Sequence, residues 1–239
     1  AATVDLSGYA TETELERLNY YGDKDIIPSD SSYFTVNSTG ETITGLTDAG
    51  KTQTELVIPY KINGKEITNL YSGTMAISIL DGATDKITKI TIPNSITAIG
   101  AFAFLNNTSL TSINIPDSVI NIGMSAFDGC TSLTSINIPN SVTSIGESAF
   151  YCCTALVSVN IPNKVIVIDD YAFQECALLK YINIPNSVTV IGQRAFYECE
   201  SLISVDIPNS VTNIGDQAFQ SCSSLKIANI PNSVEVIDG

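Results

Sequence analysis

Apolar residues recur along this chain with a fixed period, while the polar positions between them vary. Prolines, Ala-Phe pairs and isoleucines each return after 23 residues through most of the sequence. A constant period of this length is the signature of a solenoid, in which every repeat forms one coil. The repeated prolines are Pro93, Pro116, Pro139, Pro162, Pro185, Pro208 and Pro231. The repeated phenylalanines are Phe104, Phe127, Phe150, Phe173, Phe196 and Phe219.

One unit, residues 133–153, shows how a coil is built. Its first segment, Leu133-x-x-Ile136-x-Ile138, has the alternation of a strand with one buried face. Pro139 ends that strand because proline cannot donate to a ladder. The next segment, Val142-x-x-Ile145-Gly146, predicts a second short strand closed by a turn. The three-residue apolar step in Ala149-Phe150-x-x-Cys153 predicts a single helical or 3₁₀ turn that points the phenylalanine inward.

A single coil of this kind buries too little apolar surface to fold alone. Stacking places each phenylalanine, isoleucine and proline over its counterpart, and it pairs the strands of successive coils at about 4.8 Å. The predicted fold class is therefore a β-rich α/β solenoid of parallel stacked coils of 23 residues.

The residues before the regular repeats predict a cap. Residues 33–46 alternate apolar and polar side chains around a polar turn, as in a β-hairpin. An end strand left open would pair with other chains, so a solenoid needs such a cover. Pro59 precedes Pro93 by 34 residues, which indicates a divergent first repeat with an insertion near residues 71–85.

These observations divide the chain into three predicted regions. A short helix and linker come first, the hairpin and the divergent first repeat form the cap, and the repeats with an incomplete last coil follow. The regions are residues 1–30, 31–86 and 87–239.

The first region contains a helix signal. Thr11-x-x-Glu14 is a capping box, and Gly22 is a suitable stop for the helix that it begins. Residues 5–11 resemble connector sequences of phage tail-fibre proteins. That resemblance implies the end of an oligomerising stalk over residues 1–21, with self-association through the helix.

Composition excludes several functions. The 239 residues include 11 basic and 25 acidic side chains, a net charge of −14, which argues against a nucleic-acid partner. Histidine is absent, so a Ser-His-Asp triad, a Cys-His pair and a His-containing zinc site are excluded. The sequence has no apolar run of the roughly 18 residues that a membrane helix needs, so we predict no membrane insertion in this segment.

Five of the six cysteines share one position of the repeat. A stacked row brings at most two neighbours close to each thiol, whereas zinc needs four converging ligands. We therefore expect no metal and no cofactor, and we interpret the row as small buried apolar side chains. Cys152 lies off the row and is predicted to be a free thiol beside Gly129 and Glu175. The row comprises Cys130, Cys153, Cys176, Cys199 and Cys222, with Asn107 in an earlier coil.

The repeat consensus carries a family resemblance. Residues 132–146 read Ser-Leu-Thr-Ser-Ile-Asn-Ile-Pro-Asn-Ser-Val-Thr-Ser-Ile-Gly, and Ala149-Phe150 and Cys153 follow. This pattern resembles the BspA-like leucine-rich repeat family of bacterial and protist surface proteins, and the resemblance covers residues 87–239. It implies a binding or adhesion module at the cell surface or secreted, with a protein or glycan on another cell surface as its partner.

Two sets of variable polar positions are candidate binding surfaces. An asparagine row lies between the buried isoleucines of the first strand, and it predicts either amides bonded along the stack or a neutral face for glycan or protein. The segments after each glycine vary while the frame does not, and their large side chains predict either a ligand-binding patch or scattered surface aromatics that need no explanation. The asparagine row comprises Asn114, Asn137, Asn160, Asn183, Asp206 and Asn229. The candidate ligand-binding residues are Phe102, Leu105, Tyr151, Tyr171, Arg194 and Tyr197.

Three functions stay open at this level. The favoured one is a non-catalytic binding module at the cell surface, and the first alternative is the tip of a phage tail fibre, part of a virion. The second alternative is a glycosidase working with paired carboxylates, since Asp169, Asp170, Glu175, Glu198 and Glu200 are close in sequence. Nothing marks those five residues as an acid and base pair, and a solvated acidic rim explains them better on a chain of this charge, so we predict no catalytic residue.

Overall fold

Two rows of short parallel strands run along the molecule. The computed structural model of the chain describes residues 12–23, 25–71 and 77–237. In the first row lie β3 (Glu55–Val57), β7 (Lys89–Thr91), β9 (Ser112–Asn114), β11 (Ser135–Ile136), β13 (Ser158–Asn160), β15 (Tyr181–Asn183), β17 (Ser204–Asp206) and β19 (Ile227–Asn229). In the second row lie β6 (Asn69–Leu70), β8 (Ala98–Ile99), β10 (Asn121–Ile122), β12 (Ser144–Ile145), β14 (Val167–Ile168), β16 (Val190–Ile191), β18 (Asn213–Ile214) and β20 (Val236–Ile237).

The register of these strands confirms the predicted solenoid. Ser158 pairs with Tyr181, and Tyr181 pairs with Ser204, so each step along the row advances the sequence by one repeat. In the second row Ile191 pairs with Ile168 and Ile214 in the same way. The molecule is therefore a stack of parallel coils.

A column of aromatic rings forms the centre of the core. The rings of the six repeated phenylalanines stack on one another with centroids 5.2–5.5 Å apart. Around them lie the buried leucines, isoleucines and valines of both strand rows. This single core includes residues of the cap, from Phe34 onward, and it reaches Cys222 in the C-terminal coils.

The third side of each coil differs from the prediction of a helical or 3₁₀ turn. Residues 147–152 form successive hydrogen-bonded turns, and Ser148 and Cys152 have positive φ angles of 56° and 55°. The predicted inward direction of the apolar residues is confirmed, because Phe150 and Cys153 are buried. A helix does not form because every second N–H on this side bonds to the following coil rather than within its own coil.

The cysteine row lies in the core, as predicted, and it also supplies hydrogen bonds. All five thiols lie 3.2–3.3 Å from the carbonyl oxygen of the phenylalanine in the preceding coil. Asn107, at the same register, is fully buried and donates to the Ser78 hydroxyl at 3.0 Å. The row therefore continues the bonding between coils through side chains.

The second row of strands is interrupted where a glycine is replaced. The strand β12 belongs to one sheet and β14 begins another. A Cβ on Gly146 would lie 2.7 Å from the Met124 nitrogen, so this register normally requires glycine for the coils to approach. Asp169 occupies the register after β14, and its Cβ keeps the two coils from pairing there.

The predicted cap is present. The strands β1 (Phe34–Val36) and β2 (Thr42–Leu46) form an antiparallel hairpin. β2 then pairs in parallel with β6, so the hairpin covers the end of the second row. A second antiparallel pair follows, β4 (Lys61–Ile62) and β5 (Lys65–Glu66), and 3₁₀ turns lie at Ser31–Tyr33 and Gly50–Thr52.

The helix α1 (Glu12–Tyr21) lies against the divergent first repeat. Tyr20 stacks on Tyr60 with ring centroids 4.3 Å apart, and the Tyr21 hydroxyl donates to the Ile58 carbonyl at 2.7 Å. The Tyr60 hydroxyl donates to Glu16 at 2.7 Å. The hydrogen bond from Tyr60, followed by that from Lys61, lowers the pKa of Glu16.

The predictions for the N-terminal residues have a mixed outcome. The helix ends at Tyr21 as the glycine signal indicated, and Gly22 has a φ of +71°. Thr11 of the capping box and the connector-like residues 5–11 lie outside the described residues. Leu15 and Leu18 are half exposed, and self-association through this helix stays a prediction.

Candidate binding face

The candidate ligand-binding residues all lie on one side of the solenoid. We call it the turn face; it comprises residues 100–107, 123–130, 146–153, 169–176, 192–199 and 215–222. Each of these segments joins a second-row strand to the first-row strand of the next coil. Each coil has more residues than its two short strands and its proline turn require, and the remaining residues form this side.

Hydrogen bonds to the next coil hold the turn face in place. The N–H groups of Ser148, Phe150 and Cys152 donate to carbonyl groups of the following coil at 2.8–2.9 Å. The N–H of Ala149 donates within its own coil, to Gly146 at 3.1 Å. Because alternate N–H groups bond between coils, side chains on this face stand on a fixed backbone.

Three of the candidate residues have left-handed backbone conformations. Phe102, Tyr171 and Arg194 share one register and have φ angles of 61°, 59° and 51°. Ser148 and Gln217 occupy the same register in other coils and are also left-handed. The conformation is thus a property of the coil, and it aims every side chain of this register in the same direction.

The other three candidates share the register three residues later. Leu105, Tyr151 and Tyr197 are each partly buried, as are the first three. Phe102 and Leu105 lie in an early coil, and the coil carrying Ser125 and Asp128 separates them from the coil of Tyr151, about 10 Å away at about 4.8 Å per coil.

Four candidates therefore form a continuous patch and two do not join it. Tyr151, Tyr171, Arg194 and Tyr197 occupy three consecutive coils. We call these four residues the tyrosine patch. The prediction that Phe102 and Leu105 bind ligand stays a prediction, for a separate part of the face.

Arg194 lies in the last coil of the patch and makes two side-chain contacts there. Its guanidinium carbon lies 5.2 Å from the centroid of the Tyr197 ring, a cation–π contact, and its Nε donates to Gln217 at 2.6 Å. The Tyr171 hydroxyl donates to Gln193 at 3.2 Å. These contacts order the side chains before any ligand arrives.

Tyr151 belongs to an acidic cluster that the sequence did not distinguish. Its hydroxyl donates to the Glu175 carboxylate at 2.8 Å, and this hydrogen bond, with burial, raises the pKa of Tyr151 to about 12. Gln174 is buried and also donates to Glu175, at 3.2 Å. Burial raises the pKa of Asp128 to about 6, and the negative charge of Glu175 adds to the shift.

Cys152 contacts the same cluster, beside Glu175 as predicted. Burial raises the pKa of its thiol, and the nearby Glu175 and Asp128 raise it further. All six cysteines are free, and the five row cysteines are buried. Cys152 is therefore in the protonated, weakly nucleophilic form at neutral pH.

Carboxylates dominate the rest of the turn face. From residue 123 onward it carries seven acidic residues within its limits and Glu200 directly after them, and Arg194 is its basic residue. Among the described residues, none of these carboxylates forms a salt bridge with a lysine or arginine. The eight are Asp128, Glu147, Asp169, Asp170, Glu175, Glu198, Glu200 and Asp216.

The acidic residues do not form a metal centre in the part of the chain that the structure describes. No group of three His, Cys, Asp or Glu side chains there is placed to hold an ion. None of the described helices is long and apolar enough to cross a membrane.

Two members of the asparagine row bond along the stack as predicted, but to the backbone and not to one another, and the neutral face for glycan or protein stays a prediction. The Asn114 side chain bonds to the backbone of Ile92 in the preceding coil, through N–H at 2.7 Å and C=O at 3.2 Å. Asn160 bonds to Ile138 in the same way, at 3.3 and 2.9 Å. Amides of this row therefore tie neighbouring coils through the backbone rather than through an amide-to-amide ladder.

The stacked parallel strands, the phenylalanine column and the turn face together define a leucine-rich repeat solenoid. The model of the BspA type leucine-rich repeat region matches residues 82–199 and 149–239. The chain belongs to this family.

Solved structures of bacterial leucine-rich repeat proteins are similar to it. One is a leucine-rich repeat protein from Bacteroides ovatus, with 32% identity, a TM-score of 0.75, and coverage of 88% of this chain and 54% of that one. Another is a leucine-rich cell surface protein from Faecalibacterium prausnitzii, with 32% identity, a TM-score of 0.69, and coverage of 90% and 56%. The chain thus spans little more than half the length of these two.

A third structure matches over most of its own length. The leucine-rich repeat protein of T. pallidum has 26% identity and a TM-score of 0.69, and the match covers 84% of this chain and 91% of that one. The search of curated proteins found no match. Leucine-rich repeat proteins generally bind other proteins, and this family and fold are generally non-enzymatic.

Proposed function

We propose that this chain is a non-catalytic binding module at a cell surface, and that the turn face holds its ligand on another cell. The tyrosine patch carries the proposal, because it places four large side chains on three consecutive coils of a fixed backbone. Tyrosine and arginine are the residue types that most often anchor interfaces. The family and the surface-protein relative support the location.

Charge indicates which kind of ligand fits. The patch lies among carboxylates without basic partners, on a chain of net charge −14. Such a surface attracts a basic protein surface and repels an acidic one. We therefore expect the turn face to bind a lysine- or arginine-rich protein region in preference to a glycan.

The same carboxylates do not favour catalysis. Glu175 already accepts hydrogen bonds from Tyr151 and Gln174, and the neighbouring carboxylate, Asp128, is half-buried. A glycosidase needs two carboxylates facing one bond of a bound sugar. This cluster instead orders a tyrosine of the patch, which fits a binding role.

An array of immobilised 15-residue peptides with graded lysine and arginine content tests the proposal. The wild-type chain should bind the basic peptides, and Tyr171→Ala and Tyr197→Ala should weaken that binding at least tenfold. Ser125→Ala is the matched control, since it occupies the register of Tyr171 and has the same left-handed backbone, in a coil that carries no patch residue. Unchanged binding by both tyrosine variants would refute the assignment to this face.

A second variant tests the electrostatic part of the proposal. Glu198→Gln keeps the shape of the side chain and removes one partly exposed charge. It should weaken binding of basic peptides at low salt and have a smaller effect at high salt, because salt screens exposed charges. Equal effects at both salt concentrations would contradict the electrostatic part of the proposal.

A further inference from the structure

A polar groove of about 570 Å³ lies on a different side of the molecule. It runs across the ends of β15, β17 and β19 and the Ile-Pro-Asn turns that follow these strands. Its volume is within the range of ordinary small-molecule sites, about 300–1,000 Å³. Asn183, Asp206 and Asn229 lie in one register across it, and Asn186 and Asn209 line it from the turns.

In this groove the row side chains do not fold back onto the preceding coil. Asn114 and Asn160 cover the equivalent position in their own coils by bonding to the backbone of Ile92 and Ile138. Within the described residues, the side chains of Asn183, Asp206 and Asn229 make no such bond. Their amide and carboxylate groups are exposed to solvent and free to bind a ligand.

An aromatic ring borders the groove on the same face. Tyr181 precedes Asn183 by two residues in β15, so both side chains project from the outer side of the strand. The Tyr181 ring is 59% exposed, between Ser158 and Ser204 in the neighbouring strands. A large exposed ring flanked by serines leaves a flat apolar platform beside the polar row.

We propose that this groove binds a neutral oligosaccharide. Sugar hydroxyl groups both donate and accept hydrogen bonds, and asparagine amides offer both functions while Asp206 accepts. The Tyr181 ring supplies the platform against which the C–H face of one sugar packs. Coils follow one another at about 4.8 Å, close to the length of one pyranose ring, so successive sugars face successive coils.

Charge sets the class of glycan. Asp206 is the charged residue among those that line the groove, and the whole chain is strongly acidic. Sulfated or sialylated glycans would bring an anion against that carboxylate, which opposes binding. A neutral glycan meets no such cost.

This site goes beyond the proposed function of the turn face, because it uses other residues and another ligand class. The experiment is a glycan array carrying neutral, sialylated and sulfated oligosaccharides, probed with the whole chain in the presence of EDTA. We expect binding to neutral glycans, with at least tenfold weaker binding by Asp206→Ala and by Tyr181→Ala. Their exposed positions keep the fold intact, which a thermal melt verifies.

Two matched control variants test whether the glycan binds in the groove. Asn137→Ala changes the same register outside the groove, and Tyr171→Ala removes a tyrosine from the turn face. Both should bind the neutral glycans as the wild type does.

Four results would overturn the proposal. They are the absence of glycan binding by the wild type, a preference for sulfated or sialylated glycans, binding that requires calcium, and loss in Tyr171→Ala with retention in Asp206→Ala. The last result would place the glycan on the turn face. None of them bears on binding of basic peptides, so the two proposals fail separately.

Discussion

The Sγ atom of Cys176 lies 3.3 Å from the carbonyl oxygen of Phe150, in the coil before it. Both residues are buried, so this thiol donates its hydrogen to an oxygen that water does not reach. The same relationship recurs at each member of the cysteine row. A cysteine here fills a small apolar space and gives the carbonyl group a second hydrogen bond beside the backbone N–H that it already accepts, which alanine cannot do.

Cys176→Ala should lower the free energy of unfolding by about 1–3 kcal/mol, because it leaves a small cavity and removes one of the two hydrogen bonds that the buried Phe150 carbonyl group accepts. Chemical denaturation monitored by circular dichroism measures this change. Cys152→Ala is the control, since this residue is off the row and partly exposed, and its effect should stay below about 0.5 kcal/mol. Equal effects of the two variants would contradict the role of the row.

Thiol reactivity should divide the cysteines in the same way. In the native chain a thiol reagent should modify Cys152 alone, and slowly, because the pKa of its thiol is raised by burial and by Glu175 and Asp128. The five row cysteines should react only after unfolding, since burial excludes the reagent and raises their pKa. Mass spectrometry after brief labelling identifies the modified residues, and rapid labelling of Cys176 would contradict the stacked core.

Asp169→Gly should join the two parts of the second strand row. Without the Cβ, the coils of β12 and β14 can approach as other neighbours do, and new backbone hydrogen bonds should slow amide exchange at Ile168. The free energy of unfolding should rise by about 1 kcal/mol. Hydrogen exchange measures the first effect and denaturation the second.

The opposite change, from glycine to a residue with a Cβ at the same register, provides the control for Asp169. A Cβ on Gly192 would lie 2.6 Å from the Asp170 nitrogen, so Gly192→Ala should cost about 1–3 kcal/mol and open the sheet between β14 and β16. If Gly192→Ala were neutral, close approach at this register would not explain the interruption.

Asp128 should make stability depend on pH. The fold raises the pKa of Asp128 to about 6 from its ordinary value of 3.8. The folded chain therefore binds more protons than the unfolded chain between these values, and stability falls as the pH rises from about 4 to about 6. Above pH 6 the buried charge, facing Glu175, is a persistent penalty.

Asp128→Asn should remove that penalty while keeping an acceptor for Ser125. The melting temperature of the variant should exceed that of the wild type at pH 7.5 and approach it at pH 4. Thermal melts across this range measure the difference. A variant that is no more stable than the wild type at pH 7.5 would show that solvent already screens the charge.

The docked helix should detach when its aromatic contact is removed. Tyr60→Ala eliminates the stack with Tyr20 and the hydrogen bond to Glu16, so residues 22–30 should become sensitive to limited proteolysis. Lys65→Ala is a control in the same hairpin that does not contact the helix. An unchanged cleavage rate in Tyr60→Ala would mean that the remaining contacts hold the helix, from Tyr21 to Ile58, Lys61 to Glu16 and Asn94 to Asn19.

The sequence by itself determined the solenoid, the inward residues and the capping hairpin. A strict repeat leaves little freedom, because identical side chains at a fixed step can all be buried only if the coils are stacked in register. The register arithmetic also placed Tyr171 and Arg194 in neighbouring coils and Cys152 beside Glu175. These relations depend only on the separation of residues along the sequence, so the repeat period predicts them.

Only the tertiary structure decided what depends on contacts between coils. The turn on the third side could not be distinguished from a helix, because its hydrogen bonds go to residues in the next coil rather than to near neighbours. The burial of Asp128, the break at Asp169 and the open groove at Asp206 have the same origin. Each depends on whether one side chain fits against the coil beside it, and the spacing of residues along the chain does not determine such distances.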